Sequence, residues 1–307
     1  MAEKPHIITG NKGFVGSNLT QYFLEIDKLV LGVSRNPEND EINYLDLNLE
    51  IINKSRGFIH LAGKAHDLKK TSEDKEYFEI NTELTKTLFN QFLKSDSEVF
   101  IYMSSVKAVA ELVEGELTEN VLAHPVTAYG KSKLAAENYI LSQEIPQNKR
   151  VYILRPCMIH GPENKGNLNL LYSFVSQGIP YPFGKYQNKR SFVSVENLCF
   201  IINELIENNN IQSGIYNVAD NTSLSTIDLV KIMGDVLNKP TKILNLPKRF
   251  IRFLAKVGDM IPIPINSERL QKLTENYEVS NLKIKEAIQK DLPLSAEEGI
   301  KKTIASF

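Results

Sequence analysis

The chain of 307 residues is long enough to bury a large core, and its 42% hydrophobic and 24% charged residues are typical of a soluble globular protein. Its 36 basic and 37 acidic residues nearly cancel, so the net charge gives no electrostatic reason to expect nucleic acid or a membrane as a partner. The sequence contains only two cysteines, which excludes a disulfide framework.

Both cysteines, Cys157 and Cys199, stand in apolar runs and are expected to be buried free thiols without the companions of a metal site. The N-terminal stretch MAEKPHIITG has no signal-peptide pattern, and no apolar stretch reaches the length of a transmembrane helix. These features predict a cytoplasmic protein without a bound metal.

Short apolar runs alternate with helical patterns along the first two thirds of the chain. The predicted strands are 6–10, 28–34, 57–63, 99–105, 150–156 and 214–220. The predicted helices are 14–26, 77–94, 129–143 and 196–208. Most of the strands are continuously apolar rather than alternating, which is typical of a parallel sheet covered by helices on both faces. The pattern predicts an α/β fold with a Rossmann-like, doubly wound parallel sheet.

The sequence changes character after residue 160, where GPENKGNLNLL and GIPYPFGKYQNKR are rich in Gly, Pro and Asn. A smaller, loop-rich region is expected to pack over the carboxyl edge of the sheet and to bind substrate. The expected division is a dinucleotide-binding Rossmann domain and a substrate-binding region. The first comprises 1–160 plus about 190–222, and the second about 161–189 and 223–307.

The stretch TGNKGFVG follows the first predicted strand and opens the first predicted helix. Its glycines, Gly10, Gly13 and Gly16, have the spacing GxxGxxG. Glycines at these points allow a tight turn and let the backbone approach a pyrophosphate, which sits on the helix N-terminus. The stretch therefore predicts a dinucleotide site.

The second predicted strand ends in GVSRN. A site that prefers NAD places Asp or Glu near this point, where the carboxylate accepts a hydrogen bond from the ribose 2′-hydroxyl. This chain has Ser34 and Arg35 instead, and Arg35 suits a 2′-phosphate. The sequence thus favours NADP(H) and leaves NAD as an alternative, in which Arg35 stacks on the adenine or faces solvent.

Three polar residues carry the candidate chemistry. Ser105 ends the fourth predicted strand, and AYGKSK places Tyr129 and Lys133 four residues apart, on one helix face. Such a pair also occurs by chance on solvated helices. A cation near Tyr129 would lower its pKa from about 10, so that the phenol exchanges a proton with a sugar hydroxyl or ketone while Ser105 holds the same oxygen.

Seven stretches run in one order along almost the whole chain: TGNKGFVG, HLAG, NTELTKTLF, SSVK, YGKSK, LRPCMIHGP and RSFVSVENL. In this order they resemble the extended short-chain dehydrogenases/reductases of the nucleotide-sugar epimerase/dehydratase family. The resemblance implies that Ser105, Tyr129 and Lys133 are catalytic and that the substrate is a nucleotide sugar, expected to be UDP-linked. It also implies a homodimer formed through the helices around 77–94 and 129–143.

The same resemblance implies binding residues. The cofactor would contact Gly10, Gly13, Phe14, Val15, Gly16, Arg35, Asp46, Leu47, Leu61, Ala62, Gly63, Tyr129, Lys133 and Pro156. The substrate would contact His66, Lys107, Asn167, Arg190 and Arg269, and Asn81 would support the active-site helix. For His66 a solvent-facing or core position is an open alternative, for Lys107 a solvent-facing one, and for Arg190 a surface ion pair.

The chain departs from the family's 4,6-dehydratases at Val106 and Lys107, where those enzymes carry an Asp–Glu pair, so a dehydratase is not expected. The form SSVK resembles members that act on UDP-linked N-acetyl sugars in bacterial surface-polysaccharide pathways. Together with Arg35 it favours NAD(P)H-dependent reduction of a UDP-4-keto-6-deoxy-N-acetylhexosamine. The alternatives are a UDP-glucose or UDP-N-acetylhexosamine 4-epimerase with bound NAD, and a catalytically inactive NAD(P)-binding regulatory protein.

Overall fold

The structure, a computed structural model, describes residues 4–65, 73–164, 167–261 and 265–307, apart from the Asn167 side chain. Its strands within these ranges are β1 (His6–Thr9), β2 (Val30–Ser34), β3 (Ile42–Asn43), β4 (Gly57–His60), β5 (Val99–Met103), β6 (Glu116–Leu117), β7 (Arg150–Pro156), β8 (Met158–His160), β9 (Phe192–Ser194), β10 (Gly214–Val218) and β11 (Glu278–Val279).

The α-helices within the same ranges are α1 (Phe14–Glu25), α2 (Leu49–Asn53), α3 (Asp74–Phe78), α4 (Leu84–Lys94), α5 (Ala128–Leu141), α6 (Asn167–Ser176), α7 (Val195–Glu207), α8 (Thr226–Val236), α9 (Lys248–Met260), α10 (Ser267–Thr274), α11 (Leu282–Ile288) and α12 (Ala296–Ala305). A π-helical turn, Glu79–Glu83, joins α3 to α4, and a 3₁₀ turn, Val106–Ala108, follows β5.

Seven parallel strands form the central sheet in the order β10-β7-β5-β4-β1-β2-β3. The chain runs outward from β1 in both directions, so the order reverses between β1 and β4. In doubly wound sheets, ligands bind outside the carboxyl ends of the strands at this switch point. The predicted fold class is confirmed.

Burial on both faces explains the continuous apolar runs in the sequence. All residues of β1, β4 and β5 are buried. Helices α1 and α7 pack on one face, where Leu19 and Leu198 join Ile8 in one core cluster. Helices α4 and α5 pack on the other face, where Phe92 and Ala136 belong to a second cluster.

The structure shortens five of the six predicted strands, of which 6–10 and 214–220 end at Thr9 and Val218, and it adds one strand to the central sheet. Residues 28–34 begin as a strand only at Val30, while 57–63 and 99–105 end at His60 and Met103. The residues beyond these two ends become the loops on which the candidate site is built. The added strand, β3, has two residues, too few for a hydrophobic pattern to indicate.

A third core cluster lies in the C-terminal half of the chain, with buried residues from Leu168 to Ile304. It packs α6, α8, α9 and α12 together. Two small parallel sheets, β8–β9 and β6–β11, connect this half to the central fold. However, Ile284 and Ile288 of α11 belong to the cluster of the central sheet. The division into two domains stays a prediction.

Cys157 and Cys199 are both free and buried, as expected from their apolar surroundings. Burial raises the pKa of each thiol. Within the described ranges, no helix combines the length and the apolar character needed to cross a bilayer.

Candidate active site

The glycine-rich turn between β1 and α1 is packed too tightly for side chains at two positions. Gly10 has φ +71°, and a Cβ there would lie 2.8 Å from the Ala62 amide nitrogen. A Cβ on Gly16 would lie 2.2 Å from the Gly10 carbonyl oxygen. Gly13 is the N-cap of α1 and offers no side-chain cap, and the first turn contains no acidic residue. The amides at this helix end therefore suit a dinucleotide's pyrophosphate.

In the folded chain a carboxylate lies at the end of β2, although the residues at this strand end, Ser34 and Arg35, are not acidic. Glu41 accepts hydrogen bonds from Asn11 Nδ2 at 2.6 Å, from the Glu38 amide at 2.9 Å and from Ser34 Oγ at 3.2 Å. Its ion pair with Lys12 spans 3.2 Å. Burial opposes ionisation, but these hydrogen bonds hold the pKa of Glu41 below its ordinary value.

Sequence reasoning missed Glu41 because it lies seven residues beyond the strand end, and only the turn formed by 36–41 brings it back. The one indication of Glu41 in the sequence was Gly32 in β2. A side chain at Gly32 would collide with the pair formed by Asn11 and Glu41, because a Cβ would lie 2.4 Å from Asn11 Nδ2 and 3.2 Å from Glu41 Cγ. Arg35 is exposed at the same edge.

The remaining expected cofactor residues surround this edge. Leu47 is buried, whereas Asp46 is exposed after β3. The stretch Leu61–Gly63 follows β4 at the switch point. A Cβ on Gly63 would lie 3.0 Å from Lys133 Nζ, so this loop passes directly over the candidate catalytic helix. Pro156 is the buried last residue of β7.

The local sequence of α5 explains how it meets the strand that carries Ser105. Thr127 caps the helix by accepting a hydrogen bond from the Gly130 amide at 3.2 Å. A Cβ on Gly130 would lie 2.3 Å from the Lys107 carbonyl oxygen, so glycine is required for this contact. The contact places Tyr129, in the first turn of α5, within hydrogen-bonding reach of Ser105.

The electrostatics of the pair differ from the sequence expectation. Burial raises the pKa of Tyr129, and the hydrogen bond with Ser105 only partly opposes this. Burial also lowers the pKa of Lys133 to about 8. The Lys133 ammonium donates to the Met103 carbonyl oxygen at 2.8 Å and lies 5.0 Å from the Tyr102 ring centre. The net lowering of the Tyr129 pKa that the sequence predicts is therefore not found, because burial of the phenol outweighs the contacts that favour its ionisation.

Asn81 lies in the π-helical turn and is fully buried. Its Nδ2 donates to Ser132 Oγ on α5 at 3.0 Å, and its Oδ1 accepts from the Lys64 amide at 2.7 Å. One side chain thus links the active-site helix to the loop after β4. Single π-helical turns occur often at functional sites, and no sequence pattern indicated this one.

A buried ionic network lies directly behind the catalytic pair. Glu137 is one turn after Lys133 on α5, and its carboxylate accepts from Arg155 Nε at 3.0 Å and Nη2 at 2.5 Å. The Ser104 hydroxyl donates to the same carboxylate. All three side chains are buried. Sequence reasoning missed Glu137 and Ser104, although the spacing of four residues from Lys133 was a usable signal.

Two of the expected substrate residues lie close together. Lys107 donates to the Glu111 carbonyl oxygen at 2.8 Å, and its ammonium lies 4.4 Å from the Tyr277 ring centre. Arg190 is largely buried and pairs with Glu275 at 3.7 Å. Burial, and to a lesser extent the charge of Arg190, lowers the pKa of Lys107. These two cations share one wall near the catalytic helix.

The structure gives less information on the other expected substrate residues. Arg269 is exposed in the first turn of α10. Asn167 begins α6, but its side chain is not described, and His66 lies outside the described residues. Their roles stay predictions.

Residues 6–219 match the family described as the NAD dependent epimerase/dehydratase family. The chain belongs to this family. A UDP-glucose 4-epimerase from Vibrio cholerae is 31% identical over 320 residues, which cover 99% of this chain and 95% of that protein. A GDP-6-deoxy-D-mannose reductase from Pseudomonas aeruginosa is 26% identical over 260 residues, which cover 80% of this chain and 84% of that protein.

A solved UDP-glucuronic acid 4-epimerase from Bacillus cereus, in complex with NAD, matches with a TM-score of 0.73 over 98% of each chain. At 18% identity this similarity concerns the fold. As an NAD-dependent epimerase/dehydratase family member, the chain is an enzyme of the nucleotide-sugar epimerase and reductase group. Reduction of a 4-keto sugar and a preference for NADP(H) stay predictions.

Proposed function

We propose that this family member is a 4-epimerase of a UDP-hexose or UDP-N-acetylhexosamine that keeps NAD bound through turnover. The position of Glu41 carries the proposal. Its carboxylate lies at the end of β2, bonded to Ser34, where it suits a ribose 2′-hydroxyl and opposes a 2′-phosphate by charge repulsion. An epimerase needs no net reductant, so retained NAD fits this reaction better than exchange of NADPH.

The residues that would hold NAD follow from the geometry. The amides at the start of α1 would bind the pyrophosphate, and Glu41 would bind the adenosine ribose. When bound, oxidised NAD supplies reversible two-electron oxidation at C4 and a positive charge that favours the phenolate of a nearby tyrosine.

The chain's own catalytic groups handle the proton. Tyr129 would accept the proton of the C4 hydroxyl and return it to the same oxygen after the 4-keto sugar has turned. The configuration at C4 would invert because the hydride, which bound NAD would hold in the meantime, returns to the opposite face of C4. Ser105, bonded to Tyr129, would hold the same oxygen. Lys133, anchored on the Met103 carbonyl oxygen, would stabilise the phenolate by its charge.

The substrate diphosphate would lie on the wall formed by Lys107 and Arg190. Each of these cations is held by a carboxylate neighbour, Glu111 and Glu275 respectively. A planar guanidinium suits a diphosphate because it donates two parallel hydrogen bonds. Similarity to the Vibrio cholerae UDP-glucose 4-epimerase over nearly the whole chain supports a UDP-linked sugar.

A reductase is the second candidate, and the exposed cation Arg35 at the end of β2 favours it. Similarity to a GDP-6-deoxy-D-mannose reductase also supports it. The two reactions share Ser105, Tyr129 and Lys133, so the cofactor distinguishes them.

The deciding experiment begins with the cofactor released from purified, denatured protein, identified by chromatography. The protein is then incubated with UDP-GlcNAc or UDP-glucose without added reductant. The proposal expects released NAD and formation of the C4 epimer. Released NADP(H), no epimer, and NADPH oxidation with a UDP-4-keto-6-deoxy-N-acetylhexosamine would reject it in favour of the reductase.

A further inference from the structure

Helix α9 has an unusual distribution of side chains around its circumference. Successive residues of an α-helix are rotated by about 100°, so residues three, four and seven apart share one face. On this basis the sequence KRFIRFLAKVGDM divides into three lengthwise stripes. One is apolar and buried, one is apolar and exposed, and one is basic and exposed.

The buried stripe attaches the helix to the C-terminal core. Ile251 and Ala255 are 1% exposed and belong to the same cluster as Leu270 of α10. This stripe packs α9 on the rest of the chain. The second apolar stripe contains no buried residue.

The exposed apolar stripe contains two aromatic rings. Phe250 is 48% exposed, Phe253 is 62%, Met260 is 87% and the adjoining Ile261 is 50%. Single exposed apolar side chains are common, but three at helical spacing with Ile261 beside them at the helix end form a patch of the kind that marks an interaction site.

The basic stripe lies directly beside the apolar one and consists of Lys248, Arg249, Arg252 and Lys256. All four are exposed, and none forms an ion pair with another residue in the described ranges. The single acid of the helix, Asp259, accepts hydrogen bonds from Ser267 instead. Four cations against one acid leave this side of the helix with a net positive charge.

A cleft of about 290 Å³ opens between the basic stripe and α10. Its lining includes Arg252, Lys256, Ser267, Gln271 and the aromatic Tyr186. The two cations and the Gln271 amide suit a phosphate group, and the cleft is large enough to accept one.

We propose that α9 is a docking surface for an anionic lipid bilayer. The helix would lie parallel to the membrane, with Phe250 and Phe253 inserted at the level of the acyl-chain boundary. The basic stripe would contact lipid phosphates, one of them in the cleft beside α10. Exposed aromatic residues beside lysine and arginine on one helix are the features by which interfacial helices bind anionic membranes.

The net charge of the whole chain does not describe the local charge on α9. The whole chain has a formal net charge of −1, which averages α9 with acidic surfaces elsewhere. The attraction to an anionic surface depends on charges within about 10 Å of it, because salt screens those farther away. A local group of four cations can therefore bind where the average predicts no binding.

The test is co-sedimentation of the full chain with vesicles of phosphatidylcholine containing about 30% phosphatidylglycerol, compared with vesicles of phosphatidylcholine alone. We expect binding to the anionic vesicles, weaker binding to the neutral ones, and release in high salt. Each basic residue near such a surface contributes about fivefold. R249Q/R252Q/K256Q should therefore reduce partitioning by about a hundredfold, and F250S/F253S by about tenfold.

The matched controls remove the same number of basic or large apolar residues elsewhere on the surface. K54Q/K94Q/K285Q removes three exposed lysines, and L24S/L282S removes two exposed leucines. Both should sediment like the unchanged protein. Thermal unfolding and epimer formation from a water-soluble UDP-sugar verify that every variant folds.

Two results would overturn the proposal. One is equal sedimentation of the unchanged protein and both α9 variants with anionic vesicles. The other is a change of oligomeric state in F250S/F253S without vesicle binding by the unchanged protein, which would assign the stripe to a second copy of the chain. Neither result depends on which sugar-nucleotide reaction the enzyme catalyses.

Discussion

At the scale of single residues, Tyr129 combines a buried phenol with two neighbours that fix its position. It bonds Ser105 and packs edge-on against Tyr77, with ring centres 6.3 Å apart. Tyr129→Phe keeps the ring and removes the proton carrier. We expect turnover to fall by about 10²–10⁴-fold while the thermal midpoint changes little, as measured by product chromatography and by melting curves. Turnover close to that of the unchanged enzyme would show that another group carries the proton.

At the same scale, Glu41 is the residue that we propose selects NAD over NADP(H). Glu41→Gln removes the negative charge but keeps a hydrogen-bond acceptor for Asn11 and Ser34. We expect the ratio of NADPH to NADH affinity to rise by roughly tenfold, because repulsion of a 2′-phosphate disappears while Arg35 remains. Fluorescence titration of both reduced cofactors measures the ratio.

Glu38→Gln is the matched control for this measurement. Glu38 is also acidic and also pairs with Lys12, at 3.1 Å, but its side chain is exposed and does not bond Ser34. The control should leave the ratio almost unchanged. Equal shifts in the two variants would indicate a general charge effect and not a ribose contact.

At the scale of elements, the ion pair between Glu137 and Arg155 fixes α5 against β7. Both side chains are buried, so removal of one partner leaves an unpaired charge in the core. We expect E137M or R155M alone to lower the free energy of unfolding by about 3–5 kcal/mol. E137M/R155M should lose much less than the sum of the two single changes, because well-packed apolar groups replace a buried pair at little cost.

Chemical denaturation of the four proteins measures this cycle. Additive losses would mean that the two residues act independently. The same proteins test the link to catalysis, because Glu137 lies one turn from Lys133 and bonds Ser104 next to Ser105. A displaced α5 should lower turnover even where the protein remains folded.

Some features of the helices, strands and turns could be predicted from sequence patterns, and others could not. The glycine turn, the positions of the main strands and the YxxxK spacing were predictable because each depends on residues adjacent in the chain. The π-helical turn around Asn81 was not, because its extra residue follows from packing between α3 and α5. Helix α9 was not classified either, since a pattern with two apolar stripes does not indicate which one is buried.

At the scale of the whole molecule, acid should unfold the protein through buried histidines. His60 bonds Thr9 and Thr85 in the core, and burial lowers its pKa to about 3. Burial also lowers the pKa of His6 to about 4. Unfolded histidine has a pKa near 6.5, so the unfolded state binds protons first as the pH falls.

The contribution of these two histidines to the free energy of unfolding is therefore fully present above pH 6.5 and is lost as the pH falls toward 4. The expected slope is about 1.4 kcal/mol per pH unit for each histidine in that range. Urea unfolding between pH 7 and 4.5 measures it. H6F/H60Q, whose side chains do not titrate there, should show a much flatter profile, and an unchanged slope would assign acid sensitivity to carboxylates.

Sequence patterns alone were enough to predict the parallel sheet, the glycine-rich turn and the family, and to select the candidate catalytic trio. These properties follow from hydrophobic periodicity and from motifs whose residues lie within one strand, turn or helix. Only the tertiary structure decided that Glu41 returns to the end of β2, that Arg155 neutralises Glu137 behind Lys133, and that α9 keeps a second apolar stripe in solvent. Each of these depends on contacts, or on their absence, between segments far apart in the chain. The free energy of such contacts is set by burial and charge in the folded state, which no local pattern encodes.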